Sequence, residues 1–83
     1  MSSLPQDISE HFAHCMQIFG GTTAASRRLG IDERAIRRFI NGERPVSARL
    51  LQDVAQALRV LITEATTAEG YIAEALGAQP NDL

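Results

Sequence analysis

Tryptophan is absent from this 83-residue chain, and Cys15 is its only cysteine. A single cysteine excludes an internal disulfide framework. No apolar run approaches the ~20 residues that a membrane-spanning helix requires, and the opening residues "MSSLPQDISEHF" lack the basic and apolar regions of a signal peptide. We therefore expect a soluble, cytoplasmic protein that forms one domain over residues 1–83.

Strand-like patterns are missing as well. Val, Ile and Thr are scattered and never alternate with polar residues, and only 5% of the residues are aromatic. Ala, Leu, Arg, Glu and Gln dominate instead, and these residues favour helices. Since 45% of the residues are hydrophobic, the chain has enough apolar side chains for a packed core. The composition predicts an all-α domain.

The N-terminal apolar residues predict one amphipathic helix. They recur at the three- and four-residue intervals that place side chains on one helical face: Ile8, Phe12, Cys15, Met16 and Phe19. We expect this helix to cover about residues 5–19 and to end at Gly20-Gly21, because glycine readily terminates helices.

Two short helices are predicted next. Thr22 and Thr23 offer N-caps for the first, and Gly30 ends it. Asp32 offers a cap for the second, which Asn41-Gly42 ends. The inward-facing positions of this second helix are Ile36, Phe39 and Ile40.

The C-terminal part predicts a long helix followed by a shorter one. Ser47 is placed to cap the long helix, and apolar residues recur at helical spacing to about residue 66. Gly70 weakens a continuation, and Thr66 with Glu69 has the spacing of a capping box. We therefore expect a separate last helix that carries Tyr71, Ile72 and Leu76.

Charge is distributed unevenly along the chain. The formal net charge is −2, but residues 27–49 hold seven arginines against three acids, a local balance of +4. Residues 1–26 carry −2 and residues 50–83 carry −4. A cationic segment inside an acidic chain can be a solvated helix face or a site for a polyanion, and charge alone leaves both readings open.

The two short helices also meet the requirements of a helix-turn-helix. Ser26 supplies a small residue where the helices cross, and Gly30 suits the left-handed turn. Ile36 and Phe39 face the core. The remaining face of the second helix is polar and mostly cationic: Glu33, Arg34, Arg37 and Arg38.

These residues carry a family resemblance. Residues 20–54, "GGTTAASRRLGIDERAIRRFINGERPVSARLLQDV", resemble the Cro/C1-repressor-type helix-turn-helix family, with Ser26 where alanine is usual and Phe39 where Trp or Leu is common. The resemblance implies a compact four- to five-helix, lambda-repressor-like domain with its helix-turn-helix at about residues 22–42. It also implies binding of double-stranded DNA, with the second motif helix in the major groove.

The resemblance implies a set of DNA contacts. By position, the candidates for base edges are Glu33, Arg34, Ala35 and Arg38, and Arg37 lies at the groove wall. The forks of Arg34 and Arg38 suit guanine O6 and N7, whereas Glu33 is equally well placed to interact with the helix dipole. The remaining candidates for the phosphate backbone flank the motif: Thr22, Thr23, Asn41, Arg44, Ser47 and Arg49. Arg27 and Arg28 lie on the supporting helix, and we expect at least one to pair with an acid.

The C-terminal part, about residues 47–77, is expected to mediate dimerisation. One recognition helix makes few base contacts, and two linked half-sites multiply the affinity. The alternative is that this region only completes the core. The expected dimer contacts are Leu61, Ile62, Tyr71, Ile72 and Leu76.

The sequence gives little support for a zinc site, a nucleotide site or catalysis. His11, His14 and Cys15 lie close together but lack a second ligand cluster for zinc, and Cys15 falls on the apolar helix face. No nucleotide loop or catalytic constellation is recognisable, so we expect no enzymatic activity, no cofactor and no small-molecule ligand. The main hypothesis is a dimeric transcriptional regulator, acting as a repressor or autorepressor. The alternatives are a nucleoid or architectural protein, the DNA-binding subunit of a larger complex, and a helical protein-interaction module.

Overall fold

The computed structural model describes residues 8–77, which form helices and connecting turns without strands. The helices are α1 (Ile8–Phe19), α2 (Thr22–Leu29), α3 (Glu33–Ile40) and α4 (Ala48–Gly77). The predicted all-α fold is confirmed. The predicted start of the first helix, at about residue 5, lies outside the described residues.

The core lies where α1 meets the other helices. The predicted face of α1 is confirmed, with Phe12 and Met16 fully buried and Cys15 and Phe19 nearly so. Each later helix adds apolar side chains to this cluster: Ala25 from α2, Ile36 from α3, and Leu50 and Val54 from α4. Burial of these side chains, which removes apolar surface from water, is the main stabilising term available to this small domain.

Gly20 and Gly21 reverse the chain between α1 and α2. Their φ angles of 114° and 109° lie in a region that other residues rarely adopt. The predicted caps are wrong here, because α2 begins at Thr22 itself and Gly21 holds the N-cap position without a side-chain hydrogen bond. The backbone geometry that only glycine adopts readily therefore places the helix start one residue earlier than a threonine cap would.

The turn between α2 and α3 has the predicted geometry. Gly30 is left-handed, with φ 70° and ψ 28°, and its N–H donates to the Ser26 carbonyl at 2.9 Å. The Ser26 hydroxyl also donates to the carbonyl of Ile31 at 2.6 Å. Asp32 holds the N-cap position of α3 as predicted, but its side chain makes no capping hydrogen bond.

The loop after α3 leads into the long helix. Gly42 follows α3 with a φ of 79°, and the Glu43 N–H donates to the Arg38 carbonyl at 2.9 Å. The predicted cap at Ser47 is confirmed, because its hydroxyl oxygen accepts a hydrogen bond from the Leu50 N–H at 3.1 Å.

The predicted division of the C-terminal part into two helices is wrong. A single helix, α4, runs from Ala48 to Gly77 without a break at Thr66 or Gly70. One glycine costs only about 1 kcal/mol relative to alanine inside a helix, and the neighbouring Ala, Glu and Thr residues continue the helical backbone. The capping-box spacing of Thr66 and Glu69 therefore does not start a new helix.

The two halves of α4 have different surroundings. The first half contributes Leu50 and Val54 to the core, and Ala57, Leu58 and Leu61 pack against it. From residue 62 to residue 77 every side chain is exposed. We call residues 62–77 the projecting segment; they extend about 24 Å at the helical rise per residue.

Candidate nucleic-acid interface

The α3 helix is fixed to the core along one face. Ile36 is fully buried, and the ring of Phe39 packs against that of Phe12, with their centroids 5.6 Å apart. Ile40 is half-buried beside the core. These contacts confirm the predicted inward positions of α3 and leave its opposite face free.

Arg34 and Arg38 lie on this free face. Both are exposed and are one helical turn apart, so their side chains are neighbours. Neither forms an ion pair within residues 8–77, in contrast to Arg37. Ala35, another predicted base contact, is half-buried.

Glu33 is engaged within its own helix. Its Oε1 accepts a hydrogen bond from an Arg37 guanidinium nitrogen at 3.3 Å, in an i,i+4 ion pair. The family resemblance implies a base contact for Glu33 and a groove-wall position for Arg37, and it does not imply an ion pair between them. Their four-residue spacing was the signal that could have identified the pair.

The predicted backbone contacts surround α3 in three different settings. Thr22 and Thr23 begin α2, where unpaired backbone N–H groups favour an anion. The guanidinium of Arg44 lies over the Phe39 ring, 5.4 Å from its centroid, which ties the exit loop to α3. Arg49 lies 3.8 Å from Asp53, and that pair is highly exposed.

Asn41 and Ser47 are the two remaining predicted backbone contacts. Both are exposed at the exit from the motif. Ser47 already accepts the capping hydrogen bond of α4, although a hydroxyl oxygen that accepts can still donate its own proton to another group.

Arg28 is engaged by an acid on α4. One of its guanidinium nitrogens lies 2.6 Å from Oε1 of Glu64, on α4. The expectation that Arg27 or Arg28 pairs with an acid is therefore confirmed. Across residues 27–49, the arginines that remain without a carboxylate partner in the described part of the chain are Arg27, Arg34, Arg38 and Arg44.

A second exposed surface lies on the projecting segment. The exposed fractions are 63% for Ile62, 70% for Tyr71, 60% for Ile72 and 58% for Leu76. Leu61, the remaining expected dimer contact, is half-buried against the core of its own domain. Within residues 8–77 no apolar neighbour covers the side chains of Ile62, Tyr71, Ile72 and Leu76.

The cluster of His11, His14 and Cys15 separates into two environments. Cys15 is buried in the core as predicted, and burial raises the pKa of its thiol. The two histidines are exposed, with their rings 6.0 Å apart. Within residues 8–77 no three His, Cys, Asp or Glu side chains are grouped so that they could hold a metal ion.

Among residues 8–77, no helix has the length and apolar character needed to span a membrane.

The comparisons with known proteins agree with this geometry. A helix-turn-helix family model of the Cro/C1 type matches residues 20–64, which is more than half of the chain. The match covers α2, the Gly30 turn, α3 and the first part of α4. No curated protein and no solved structure matches the chain.

Proposed function

The chain belongs to the Cro/C1-type helix-turn-helix family of DNA-binding proteins, and on that premise we propose that it is a sequence-specific transcriptional regulator with α3 as its recognition helix. In such proteins the second motif helix lies in the major groove and its first residues face the base edges. The proposed base contacts are Glu33, Arg34, Ala35 and Arg38.

One observation carries this proposal. Within residues 8–77, Arg34 and Arg38 have no carboxylate partner, and they lie on the free face of a helix whose other face is anchored by Ile36. A rigid anchor fixes where the side chains start, and each guanidinium can donate two hydrogen bonds to guanine O6 and N7.

The surrounding polar groups suit the DNA backbone. The N-terminus of α2 offers N–H groups to a phosphate, and Arg44, held over the Phe39 ring, presents a cation next to α3. Contacts of this kind position a protein without reading sequence. The proposed backbone contacts are Thr22, Thr23, Arg37, Asn41, Arg44, Ser47 and Arg49.

We further propose that the chain acts as a dimer and represses transcription, for example of its own gene. The projecting segment supplies exposed apolar side chains for a second copy, and Leu61 lies at its edge. The proposed dimer contacts are Ile62, Tyr71, Ile72 and Leu76; Leu61, which the sequence places among them, packs against the core of its own domain.

Selection of bound DNA from a random pool tests the function. We expect enrichment of one palindrome with half-sites about 10 bp apart, and affinity that falls steeply between about 50 and 200 mM salt. Salt dependence without a preferred sequence would instead indicate an architectural protein. The absence of both would indicate a protein-interaction module, and binding only with a further subunit would indicate a component of a larger complex.

A further inference from the structure

A continuous stripe of apolar residues runs along one face of α4 at alternating intervals of three and four. Val54, Leu58 and Leu61 form its first part, and all three pack in or against the core. The stripe continues on the projecting segment, where its members are exposed: Ala65, Ala68, Ile72 and Ala75. This spacing is the heptad pattern of helices that pack against other helices.

The exposed part of the stripe is suited to close helix packing. Ala65, Ala68 and Ala75 are small enough to let a second backbone approach, while Ile72 fills the remaining space. Ile62 and Leu76 lie on one flank of the stripe and Tyr71 lies on the other. Within residues 8–77, the apolar face of the projecting segment thus lacks the tertiary packing that gives most helices in proteins their stability.

From these features we propose that a second copy of the chain lies antiparallel along the projecting segment. The inference rests on the dimer of the proposed function and adds its orientation. In this arrangement Ala68 of one copy faces Ile72 of the second copy, so that small and large side chains alternate. Ile62 then lies near Leu76 of the second copy, and the two Tyr71 side chains lie near each other.

The position of α1 and α2 excludes parallel pairing of the same stripe. Both helices pack against α4, and the core covers the stripe at Val54, Leu58 and Leu61. In a parallel pair, the α1 and α2 layers of both copies would lie between the two α4 helices at that level. Two such layers, each about 10 Å thick, do not fit between helices that approach to about 8–10 Å. The helices also cannot diverge enough to make room, because the four residues from Leu61 to Ala65 rise only about 6 Å.

Antiparallel pairing removes this conflict. The level of residues 54–61 then lies beyond the paired segment of the second copy, and the two domains are at opposite ends of the helical pair. The charges favour the same orientation. Parallel helices would bring Glu64 near Glu69 on both sides of the pair, whereas the antiparallel register brings only the two Glu69 side chains near each other.

Distances between labelled cysteines test the orientation. Arg59→Cys and Glu74→Cys replace exposed residues outside the proposed DNA contacts and the stripe. In the antiparallel pair, two labels at position 59 are about 33 Å apart along the axis, while labels at 59 and 74 of different copies are about 10 Å apart along the axis. In a parallel pair the 59–59 labels are side by side and the 59–74 labels are about 22 Å apart along the axis.

The measurement is pulsed dipolar spectroscopy on each labelled chain and on a mixture of the two. The wild-type chain, treated with the same label, measures the contribution of the buried Cys15. A 59–74 distance shorter than the 59–59 distance supports the proposal, and the reverse order overturns it while leaving the dimer intact. Sedimentation of the same samples separates the remaining case, because a monomer would overturn both the orientation and the proposed dimer.

Discussion

The helices α2 and α3 have the same length, and both carry an Arg-Arg pair in the last turn, yet they present different surfaces. In each helix one arginine is engaged: Arg28 pairs with Glu64 of α4, and Arg37 pairs with Glu33 of α3 itself. The other arginine of each pair lacks a carboxylate partner within the described residues, as does Arg34 of α3. The Arg-Arg pairs alone therefore do not distinguish the supporting helix from the proposed recognition helix.

The packing of the two helices does distinguish them. Among the described residues, α2 contacts α1, α3 and α4, whereas α3 contacts only α1 and α2. The small, fully buried Ala25 is the core residue of α2, and the large, fully buried Ile36 is that of α3. The helix with fewer neighbours keeps one face open, and that face carries Arg34 and Arg38. The location of the proposed DNA interface therefore depends on which helix the rest of the fold leaves partly uncovered.

The largest expected effect comes from removing the anchor of α3. Ile36→Ala deletes a fully buried side chain, and we expect it to lower the free energy of unfolding by about 2–5 kcal/mol. Urea denaturation followed by circular dichroism measures the change. Ile62→Ala, which shortens an exposed side chain of α4, is the control when unfolding is measured at a protein concentration too low for dimers. A loss below 1 kcal/mol for Ile36→Ala would show that α3 does not depend on this contact.

The next largest effect should come from the free arginines of α3. Arg38→Ala or Arg34→Ala removes a guanidinium that we propose to read guanine, and we expect each to weaken binding to the selected DNA site by about 1–3 kcal/mol. The preference at one base pair per half-site should relax as well. Fluorescence anisotropy with the selected site and with single-base variants measures both quantities.

A matched control tests whether this loss is a general effect of charge. Arg59→Ala removes the same side chain from an exposed position on α4, outside the helix-turn-helix. We expect a smaller loss that is equal for all DNA sequences. If Arg34→Ala and Arg38→Ala both leave specific binding unchanged, the recognition face is assigned to the wrong side chains.

A smaller effect should follow from breaking the ion pair within α3. Glu33→Gln removes the carboxylate that holds Arg37 at 3.3 Å, so Arg37 becomes free to meet a phosphate. We expect affinity for random DNA to rise several-fold and the dependence of log affinity on log salt to steepen by about one. Affinity measured at several salt concentrations, for random and selected DNA, checks this.

Glu33→Gln also separates two roles for the carboxylate. Arg37→Ala is the companion variant, and in the Glu33→Gln background it should remove the added salt dependence. If Glu33 accepts a hydrogen bond from a cytosine in the complex, Glu33→Gln should change the preferred base at one position. If Glu33 acts only on Arg37, the preferred sequence should stay the same.

The features that sequence predicted well are those determined by neighbouring residues. The apolar face of α1, the left-handed Gly30 and the cap at Ser47 each depend on a few adjacent positions, and all three are confirmed. The partner of Arg28 depends on Glu64, which is 36 residues away in the chain, so local patterns give no information about it. The continuity of α4 was missed because Thr66, Glu69 and Gly70 resemble a helix boundary, while the actual backbone tolerates one glycine.

The smallest expected effect concerns Arg28 of α2, whose ion-pair partner Glu64 lies on α4. Arg28→Ala removes the ion pair with Glu64, whose side chains are 28% and 55% exposed. Partly exposed ion pairs contribute little, so we expect a loss of at most about 1 kcal/mol in the free energy of unfolding. A double-mutant cycle with Glu64→Gln measures the coupling energy of the pair, and this energy should shrink at high salt.

Because Arg28 is engaged by α4, Arg28→Ala should not change which DNA sequence is preferred. A loss of specific binding as large as that of Arg38→Ala would mean that Arg28 leaves Glu64 to contact DNA, and the two helices would then share the same role.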